Sequence, residues 1–324
     1  MIDGYGRTID YIRISVTDRC NLRCRYCMPE SGVPLVEHGK ILRYGEILRL
    51  AGIFSSLGIS KIKLTGGEPL VRKGMTGLVR DIKKIPGIRQ VTLTTNGTLL
   101  KDQMAALAEA GIDGINISLD TLDDEEYFRI TRRRELKKAL EGFHEALKYP
   151  KVVLKINCVP LGQSEDSLCS VAELARQYPV HVRFIEMMPI GLGKEWKCLP
   201  EDELRKMLES RYGEGRPVSE ILGNGPGHYV QFDGFQGKIG FISAVSHKFC
   251  KSCNRVRLTS QGYLKTCLQY HAGADLRGPM RQGASDEKLK YIIEQAMVKK
   301  PEGHTFFQKQ GDKEEKGIMS QIGG

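Results

Sequence analysis

The chain has 324 residues, of which 40% are hydrophobic and 27% charged, a composition typical of one large or two average globular domains. No apolar run approaches the roughly 20 residues that cross a bilayer, and the first residues lack a secretory signal pattern. We therefore expect a cytoplasmic protein without a membrane helix. The net charge of +10 fits either an ordinary basic surface or an anionic ligand such as nucleic acid or a polyphosphate.

Short runs rich in Ile, Val and Leu alternate with helix-like segments through the first half of the chain. The predicted strands are 12–16, 61–65, 90–94, 114–119, 152–159 and 180–185. The predicted helices between them are 44–57, 75–85, 101–110, 135–148 and 164–177. Apolar strands alternating with helices are typical of a parallel sheet covered on both faces. Six such repeats predict an α/β fold, a partial (β/α)6 TIM-type barrel whose open side would admit a large substrate.

The pattern changes after Met188. A turn-rich segment at 189–193 precedes a predicted helix at 201–209, β-like runs at 228–232 and 238–244, and a last helix at 286–298. Residues 301–324 are polar and charged, as flexible segments are. We therefore predict a barrel at 1–188, a C-terminal α+β extension at 189–300 and a flexible tail at 301–324.

Six of the nine cysteines form two groups with the spacing of metal ligands. The first trio, Cys20, Cys24 and Cys27, follows the first predicted strand as C-x3-C-x2-C. Because cytosolic thiols stay reduced, such clusters indicate metal ligands or catalysts rather than disulfides. Three thiolates can hold three irons of a four-iron cluster and leave the fourth open to a small molecule. A zinc loop or a group of redox thiols is the alternative.

The second trio is Cys250, Cys253 and Cys267, spaced as C-x2-C-x13-C. It offers one thiolate fewer than a closed structural zinc site uses. A zinc ribbon completed by His271 or His247 is one interpretation, and a second metal with an open position is the other. The remaining cysteines, at 158, 169 and 198, are not expected to be ligands.

Charged and flexible residues near the strand ends complete the set of candidates. Arg255 and Arg257 alternate, so both face one side if their segment is extended, and two guanidiniums beside an open metal indicate an anion pocket. In Gly-Gly-Glu-Pro at 66–69, the glycines let the backbone approach a ligand, and Glu68 can accept a hydrogen bond from an ammonium group. Each of these features alone is more often a turn or a cap.

The first trio resembles the signature of the radical S-adenosylmethionine (SAM) superfamily, in which an aromatic residue such as Tyr26 usually precedes the last cysteine. Further segments resemble the GTP 3′,8-cyclase (MoaA) family of molybdenum cofactor biosynthesis. They lie at 17–29, 66–69, 94–97, 183–188, 246–268 and 319–324. The Cys-Asn-Arg-x-Arg segment and the terminal Gly-Gly are specific to that family.

The resemblance implies two [4Fe-4S] clusters at opposite ends of the partial barrel, one held by each trio. The implied SAM contacts are Tyr26, Gly67, Glu68, Ser118 and Met188. The implied GTP contacts are Arg13, Lys61, Lys63, Thr94, Lys155, Arg183, Arg255 and Arg257. Of these, Arg255 and Arg257 are also expected to be catalytic, assisting the final reduction or protonation.

The resemblance also implies a reaction and its partners. A lyase of this family converts GTP to (8S)-3′,8-cyclo-7,8-dihydroguanosine 5′-triphosphate, using a 5′-deoxyadenosyl radical that removes H3′ before C3′ bonds to C8. The expected partners are GTP, an electron donor and the cyclic pyranopterin monophosphate synthase that receives the product. Neither membrane nor nucleic acid is expected, and a homodimer is one compatible assembly.

Two other functions remain open on sequence grounds. Peptide-modifying radical SAM enzymes also carry extra clusters, although they usually need more C-terminal cysteines than three. A zinc-bearing nucleic-acid binder fits the basic charge, but it predicts interleaved basic and aromatic residues, and aromatic residues make up only 7% of the chain.

Overall fold

The computed structural model describes residues 1–34, 36–220, 222–306, 315 and 317–322. Its strands are β1 (Tyr11–Ser15), β2 (Lys61–Thr65), β3 (Gln90–Thr95), β4 (Gly114–Ser118), β5 (Val153–Cys158), β6 (His181–Ile185), β7 (Arg216–Val218), β8 (His228–Gln231), β9 (Ile239–Ile242), β10 (Arg255–Leu258), β11 (Tyr263–Lys265) and β12 (Gly273–Asp275). Its α-helices are α1 (Tyr44–Ser56), α2 (Met75–Lys83), α3 (Leu100–Glu109), α4 (Asp124–Thr131), α5 (Leu136–Leu147), α6 (Glu165–Gln177), α7 (Glu201–Tyr212), α8 (Arg277–Arg281), α9 (Asp286–Val298) and α10 (Met319–Ile322).

The strands form one sheet in the order β12-β11-β10-β1-β2-β3-β4-β5-β6-β9-β8-β7. Strands β1 to β6 lie side by side and parallel. The sheet continues with β10 beside β1 and β9 beside β6, both parallel, and antiparallel hairpins follow on each side. This order confirms the predicted α/β fold, and β7 to β12 come from the predicted C-terminal extension. Among the described residues, the outermost strands β12 and β7 do not pair with each other, so the sheet is not closed.

Alternation along each strand separates an apolar face from a polar one. On β1, Ile12 and Ile14 are fully buried in the main hydrophobic cluster, and Arg13 lies on the opposite face. The helices cover the apolar face; the buried residues of α2, for example, recur every three or four positions. Because helices occupy the apolar face, the polar face of β1 to β6 lines the interior of the barrel.

Some elements were not predicted from the sequence. Helix α4 spans only eight residues and is polar in its first turn, so its periodicity is weak; Asp123 caps it by accepting a hydrogen bond from the backbone of Glu126. Strands β7 and β10 to β12 have three or four residues each, too few for a clear alternation. None of the helices in the described ranges combines the length and apolar character that a membrane crossing requires.

The tail predicted at 301–324 is described only in part. The side chain of Glu315 pairs with buried Lys265 of β11, and the backbone N–H of Glu315 donates to the carbonyl of Gln269 at 2.7 Å. Ile322 of α10 is buried. The terminal Gly323 and Gly324 lie outside the described residues, and the three-part division and the flexibility of the tail stay predictions.

Helix α5 packs closely on the loop after β3, which makes Gly142 a test of the fold. A β-carbon at Gly142 would lie 2.2 Å from the carbonyl oxygen of Gly97, whereas one at Gly77 of α2 meets nothing within 4 Å. We expect G142A to lower the free energy of unfolding by about 1–3 kcal/mol, because backbone must move to relieve the overlap. The matched variant G77A should be neutral or stabilising by up to about 1 kcal/mol. Urea denaturation of both variants checks this, and equal stabilities would contradict the packing.

Candidate active site

The two cysteine trios lie at opposite ends of the parallel strands. The first trio follows the carboxyl end of β1. In the second trio, Cys250 and Cys253 precede β10, which runs parallel to β1 with Arg255 opposite Tyr11, so they lie at the amino ends of these strands. Cys267 follows β11, which is antiparallel to β10 and therefore ends at the same side. Outside the trios, the buried Cys158 of β5 and Cys169 of α6 belong to the hydrophobic cluster.

The loop of the first trio is held by the end of α4. The backbone N–H groups of Arg23 and Arg25 donate to the carbonyls of Thr131 and Ile130 at 3.0 and 2.9 Å. Arg132 adopts a left-handed conformation with φ of 56° and donates to the carbonyl of Arg23. An element that the sequence analysis missed therefore fixes the shape of this loop.

The chemistry of the first trio fits a metal cluster. Burial raises the pKa of Cys20 to about 11 and that of Cys27 to about 12, and it raises the pKa of Cys24 well above its usual value. The negative charges of Cys27 and Cys20 raise the pKa of Cys24 further. Because these raised pKa values disfavour the thiolate, thiolates at these positions need a bound cation to stabilise them. Soft sulfur ligands suit iron.

The Gly-Gly-Glu-Pro loop after β2 lies directly against the chain that leads into the first trio. A β-carbon at Gly67 would lie 2.4 Å from the carbonyl oxygen of Arg19, and one at Gly66 would lie 2.6 Å from that of Thr17. Glycine is therefore required at both positions for this close packing.

Glu68 connects this loop to the loop after β3. Its Oε1 accepts hydrogen bonds from the backbone of Leu70 at 2.9 Å and the hydroxyl of Thr95 at 2.8 Å, and its Oε2 accepts from the backbone of Asn96 at 2.6 Å. Burial raises the pKa of Glu68 to about 7, against the effect of these hydrogen bonds. The Nδ2 of Asn96 lies 4.0 Å from the sulfur of Cys20, so Glu68 orders a loop that contacts the first trio.

Three other predicted cofactor contacts, Tyr26, Ser118 and Met188, lie at or just after the carboxyl ends of strands. The hydroxyl of Tyr26 donates to Asp120 at 2.8 Å, and burial raises the pKa of Asp120 to about 6. Tyr26 and Ser118 line a small cavity of about 30 Å³ together with Cys24. Met188 follows β6, and its carbonyl accepts from the backbone of Ile190 at 2.8 Å.

A larger cavity of about 310 Å³ occupies the polar interior of the barrel. Its lining includes six of the predicted substrate contacts, all on the same face of their strands: Arg13, Lys63, Thr94, Lys155, Arg183 and Arg255. The strand register holds them in fixed rows; Arg13, for example, lies opposite Lys63 on one side and Arg257 on the other. None of the described lining residues is acidic.

The cations of this cavity lower one another's pKa values. Burial and then Arg183 lower the pKa of Lys155 to about 7. Burial, followed by the charges of Arg183 and three other cations, lowers the pKa of Lys63 well below its usual value. A bound polyanion would reverse both effects, because it would supply the negative charge that the lining lacks.

Two predicted substrate contacts lie outside this lining. The ammonium of Lys61 pairs with Asp10 at 2.8 Å near the amino ends of the strands. Arg257 is buried on β10 directly beside Arg13, and burial followed by the charges of Arg13 and Arg255 lowers its pKa. Asn157, which was not predicted from the sequence, accepts a hydrogen bond at its Oδ1 from the Nε of Arg183 at 3.0 Å. Because Asn157 lies two residues after Lys155 on the same strand, strand alternation places both on the cavity face.

The second trio has a cation that the sequence analysis also missed. The Nζ of Lys300 lies 3.6 Å from the sulfur of Cys253. Although burial opposes the shift, the charges of Lys300 and Arg255 lower the pKa of Cys253. A thiolate is therefore favoured at this position.

The histidines offered as zinc ligands have other neighbours. The ring of His271 stacks on Tyr263 with centroids 5.1 Å apart, and Nδ1 of His247 lies 3.2 Å from the hydroxyl of Ser246. Within the described ranges, no three His, Cys, Asp or Glu side chains converge as ligands of one metal ion.

Known proteins match the whole chain. Residues 14–175 match the Radical SAM superfamily, and residues 180–306 match the Molybdenum Cofactor Synthesis C family. A GTP 3′,8-cyclase of Clostridium perfringens (strain SM101 / Type A) is 44% identical over 325 residues, with 100% of both chains covered. A GTP 3′,8-cyclase of Syntrophomonas wolfei subsp. wolfei is 45% identical over 328 residues, again over 100% of both chains.

The chain belongs to the GTP 3′,8-cyclase family. A further relative, molybdenum cofactor biosynthesis protein 1 of Dictyostelium discoideum, is 41% identical over 309 residues, which are 94% of this chain and 49% of that one. As a radical SAM enzyme, a member of this family uses SAM and a [4Fe-4S] cluster.

Solved structures agree with the fold of this family member. Streptococcus suis SuiB bound to S-adenosylmethionine has a TM-score of 0.62 at 14% identity, covering 88% of this chain and 68% of that one. SuiB bound to its precursor peptide SuiA has a TM-score of 0.61 at 14% identity, covering 84% and 64%. At this identity the likeness concerns the radical SAM fold alone.

The lowered pKa of Lys155 predicts how the cavity binds inorganic triphosphate. We expect K155M to weaken binding about 10- to 100-fold at pH 6, because a charged hydrogen bond is lost. The difference from the unmodified protein should shrink toward pH 9: Lys155 of the free protein is neutral above about pH 7, so binding then requires proton uptake. Isothermal titration calorimetry of the metal-free protein measures this. The exposed Lys151 provides the control K151M, and equal effects of both variants would contradict the assignment.

Proposed function

We propose that this chain is a radical SAM GTP 3′,8-cyclase that converts GTP to (8S)-3′,8-cyclo-7,8-dihydroguanosine 5′-triphosphate, the first step of molybdenum cofactor biosynthesis. The observation that carries the proposal is a cavity lined by five cations and no described acid, located between two cysteine trios. Full-length similarity to relatives named GTP 3′,8-cyclase supports it. A triphosphate needs several fixed cations, and this cavity provides them.

In this proposal the first trio holds the SAM-binding cluster. When bound there, the cluster and SAM supply a 5′-deoxyadenosyl radical for removal of H3′ of GTP, which allows the C3′–C8 bond to form. The backbone at Gly67 and the side chains of Tyr26, Ser118 and Met188 contact SAM. Glu68 orders the loops around this site through its three hydrogen bonds. Its remaining acceptor capacity would accept from the ammonium of bound SAM.

The interior cations bind and orient the nucleotide. Arg13, Lys63, Lys155 and Arg183 hold the triphosphate, and Thr94 offers a hydroxyl on the same face. Since these side chains project from rigid parallel strands, they hold the ribose and base in one compact pose. Lys61 lies near the amino ends of the strands, and to contact the nucleotide it would have to exchange its pairing with Asp10 for the anion.

The second trio holds a second [4Fe-4S] cluster with one position open to the guanine base. Its three thiols match three corners of such a cluster, and Lys300 beside Cys253 favours the thiolate. Arg255 and Arg257 project from β10 next to this trio, and we propose that they assist the final reduction or protonation of the cyclised nucleotide.

The proposed reaction needs partners beyond GTP. An electron donor must reduce the first cluster, and a cyclic pyranopterin monophosphate synthase consumes the product. A homodimer is the proposed assembly. The cytosol is the proposed compartment, because its reducing conditions keep the cysteine ligands as free thiols.

Anaerobic reconstitution tests the function. The purified protein should hold about eight iron and eight sulfide per chain. With SAM, GTP and dithionite it should form 5′-deoxyadenosine and a cyclised nucleotide, both measurable by mass spectrometry. Zinc without sulfide, or 5′-deoxyadenosine without a cyclised nucleotide when both clusters are present, would overturn the proposal.

Serine variants test the two cluster sites separately. C24S and C253S should each retain about four iron per chain and lose cyclase activity, because each removes a ligand of one cluster. C169S is the matched control: Cys169 is buried in α6, so this variant should retain about eight iron and its activity. Full iron in C253S would show that the second trio is not a cluster site.

A further inference from the structure

The segment after α9 folds over the second trio. A β-carbon at Gly303 would lie 3.1 Å from the Cβ of Cys250 and 3.4 Å from its sulfur, so the backbone passes directly against this cysteine. Buried Arg7 fixes the segment: its guanidinium donates to the carbonyls of Pro301 and Glu302 at 2.7 and 2.6 Å and to that of Cys250 at 2.8 Å. Arg7 therefore fixes the positions of Pro301 and Glu302, just before Gly303.

Lys300 lies at the start of this segment and is almost fully buried. Its ammonium donates to the carbonyls of Arg255 and Thr266 and toward the sulfur of Cys253 at 3.6 Å. An ammonium has three donors, and these three contacts use all of them. Two of the contacts lie on the Cys253 side of the trio and the third on the residue before Cys267, so Lys300 bridges the two chain segments that carry the second trio.

We propose that Lys300 is a positioning residue of the second cluster, which aligns the trio and makes the bound cluster easier to reduce. The inference rests on the proposed function, because it requires a cluster at this trio. A positive charge and an N–H···S hydrogen bond both stabilise the additional negative charge of the reduced cluster, so they raise its reduction potential. Since the ammonium is buried, water screens this interaction little.

A purely structural lysine predicts a different result. If Lys300 only joined the carbonyls of Arg255 and Thr266, its replacement would change stability and leave the potential of a correctly assembled cluster unchanged. The potential therefore separates the two roles.

The experiment uses the full chain with C24S, so that only the second cluster contributes to the signal. In this background, K300M removes the charge and the hydrogen bonds at similar volume, and K300Q retains a neutral N–H donor. The matched control is K299M, which removes the same charge from the neighbouring exposed lysine. Redox titration followed by electron paramagnetic resonance gives the midpoint potential, and the rate of iron loss to a chelator reports cluster retention.

We expect a lower midpoint potential and faster iron loss in K300M, a smaller shift in K300Q, and no shift in K299M. A K300M cluster with the potential of the K299M cluster would overturn the role of Lys300 while leaving the proposed function intact. If K300M assembled no cluster, K300Q would decide, and a potential equal to that of K299M would overturn the proposal. Absence of iron and sulfide from C24S itself would instead overturn the second cluster, and this role with it.

Discussion

The main physical constraint on this structure is that several cations lie together on the polar face of a parallel sheet. Burial disfavours the charged form of a lysine, and neighbouring cations disfavour it further. Both effects lower the pKa values of Lys63 and Lys155. The apolar face of the same strands offsets this cost, because it packs beneath the helices in one continuous cluster. Alternation along a strand is what permits both, since each residue that packs outward is followed by one that faces the cavity. Hydrophobic packing and positive charge thus lie on opposite faces of the same six strands.

The parts of the site that the sequence predicted are those that depend on local spacing. Short apolar runs predict the six strands, and cysteine spacing predicts the two trios. Because the strands are parallel, their carboxyl ends then lie together. Long-range contacts were not predictable. Arg7 reaches Cys250 across 243 positions, and Lys300 reaches Cys253 across 47, so no local pattern connects them. Lys300 also resembles an ordinary basic residue near the end of a helix, where lysine is favoured for other reasons.

The sequence indicates Glu68 as a candidate site residue, but it does not define the contacts of this side chain. The sequence indicates a carboxylate beside two glycines, which is compatible with an ammonium ligand. In the structure both carboxylate oxygens accept hydrogen bonds from the protein, and they connect the loops after β2 and β3. A carboxylate with three donors is held firmly, so Glu68 fixes the relative positions of these two loops.

The direction of the strands also determines how far apart the two cysteine trios can lie. The first follows β1, and Cys250 and Cys253 of the second precede its parallel neighbour β10, so the trios lie beyond opposite ends of these strands. Five residues at about 3.3 Å each correspond to about 16 Å, and the cations of the inner face occupy this interval. A ligand that spans both ends would therefore pass the cations, an arrangement that favours a polyanion. The direction of the parallel strands therefore places the cations of the inner face between the two cysteine trios.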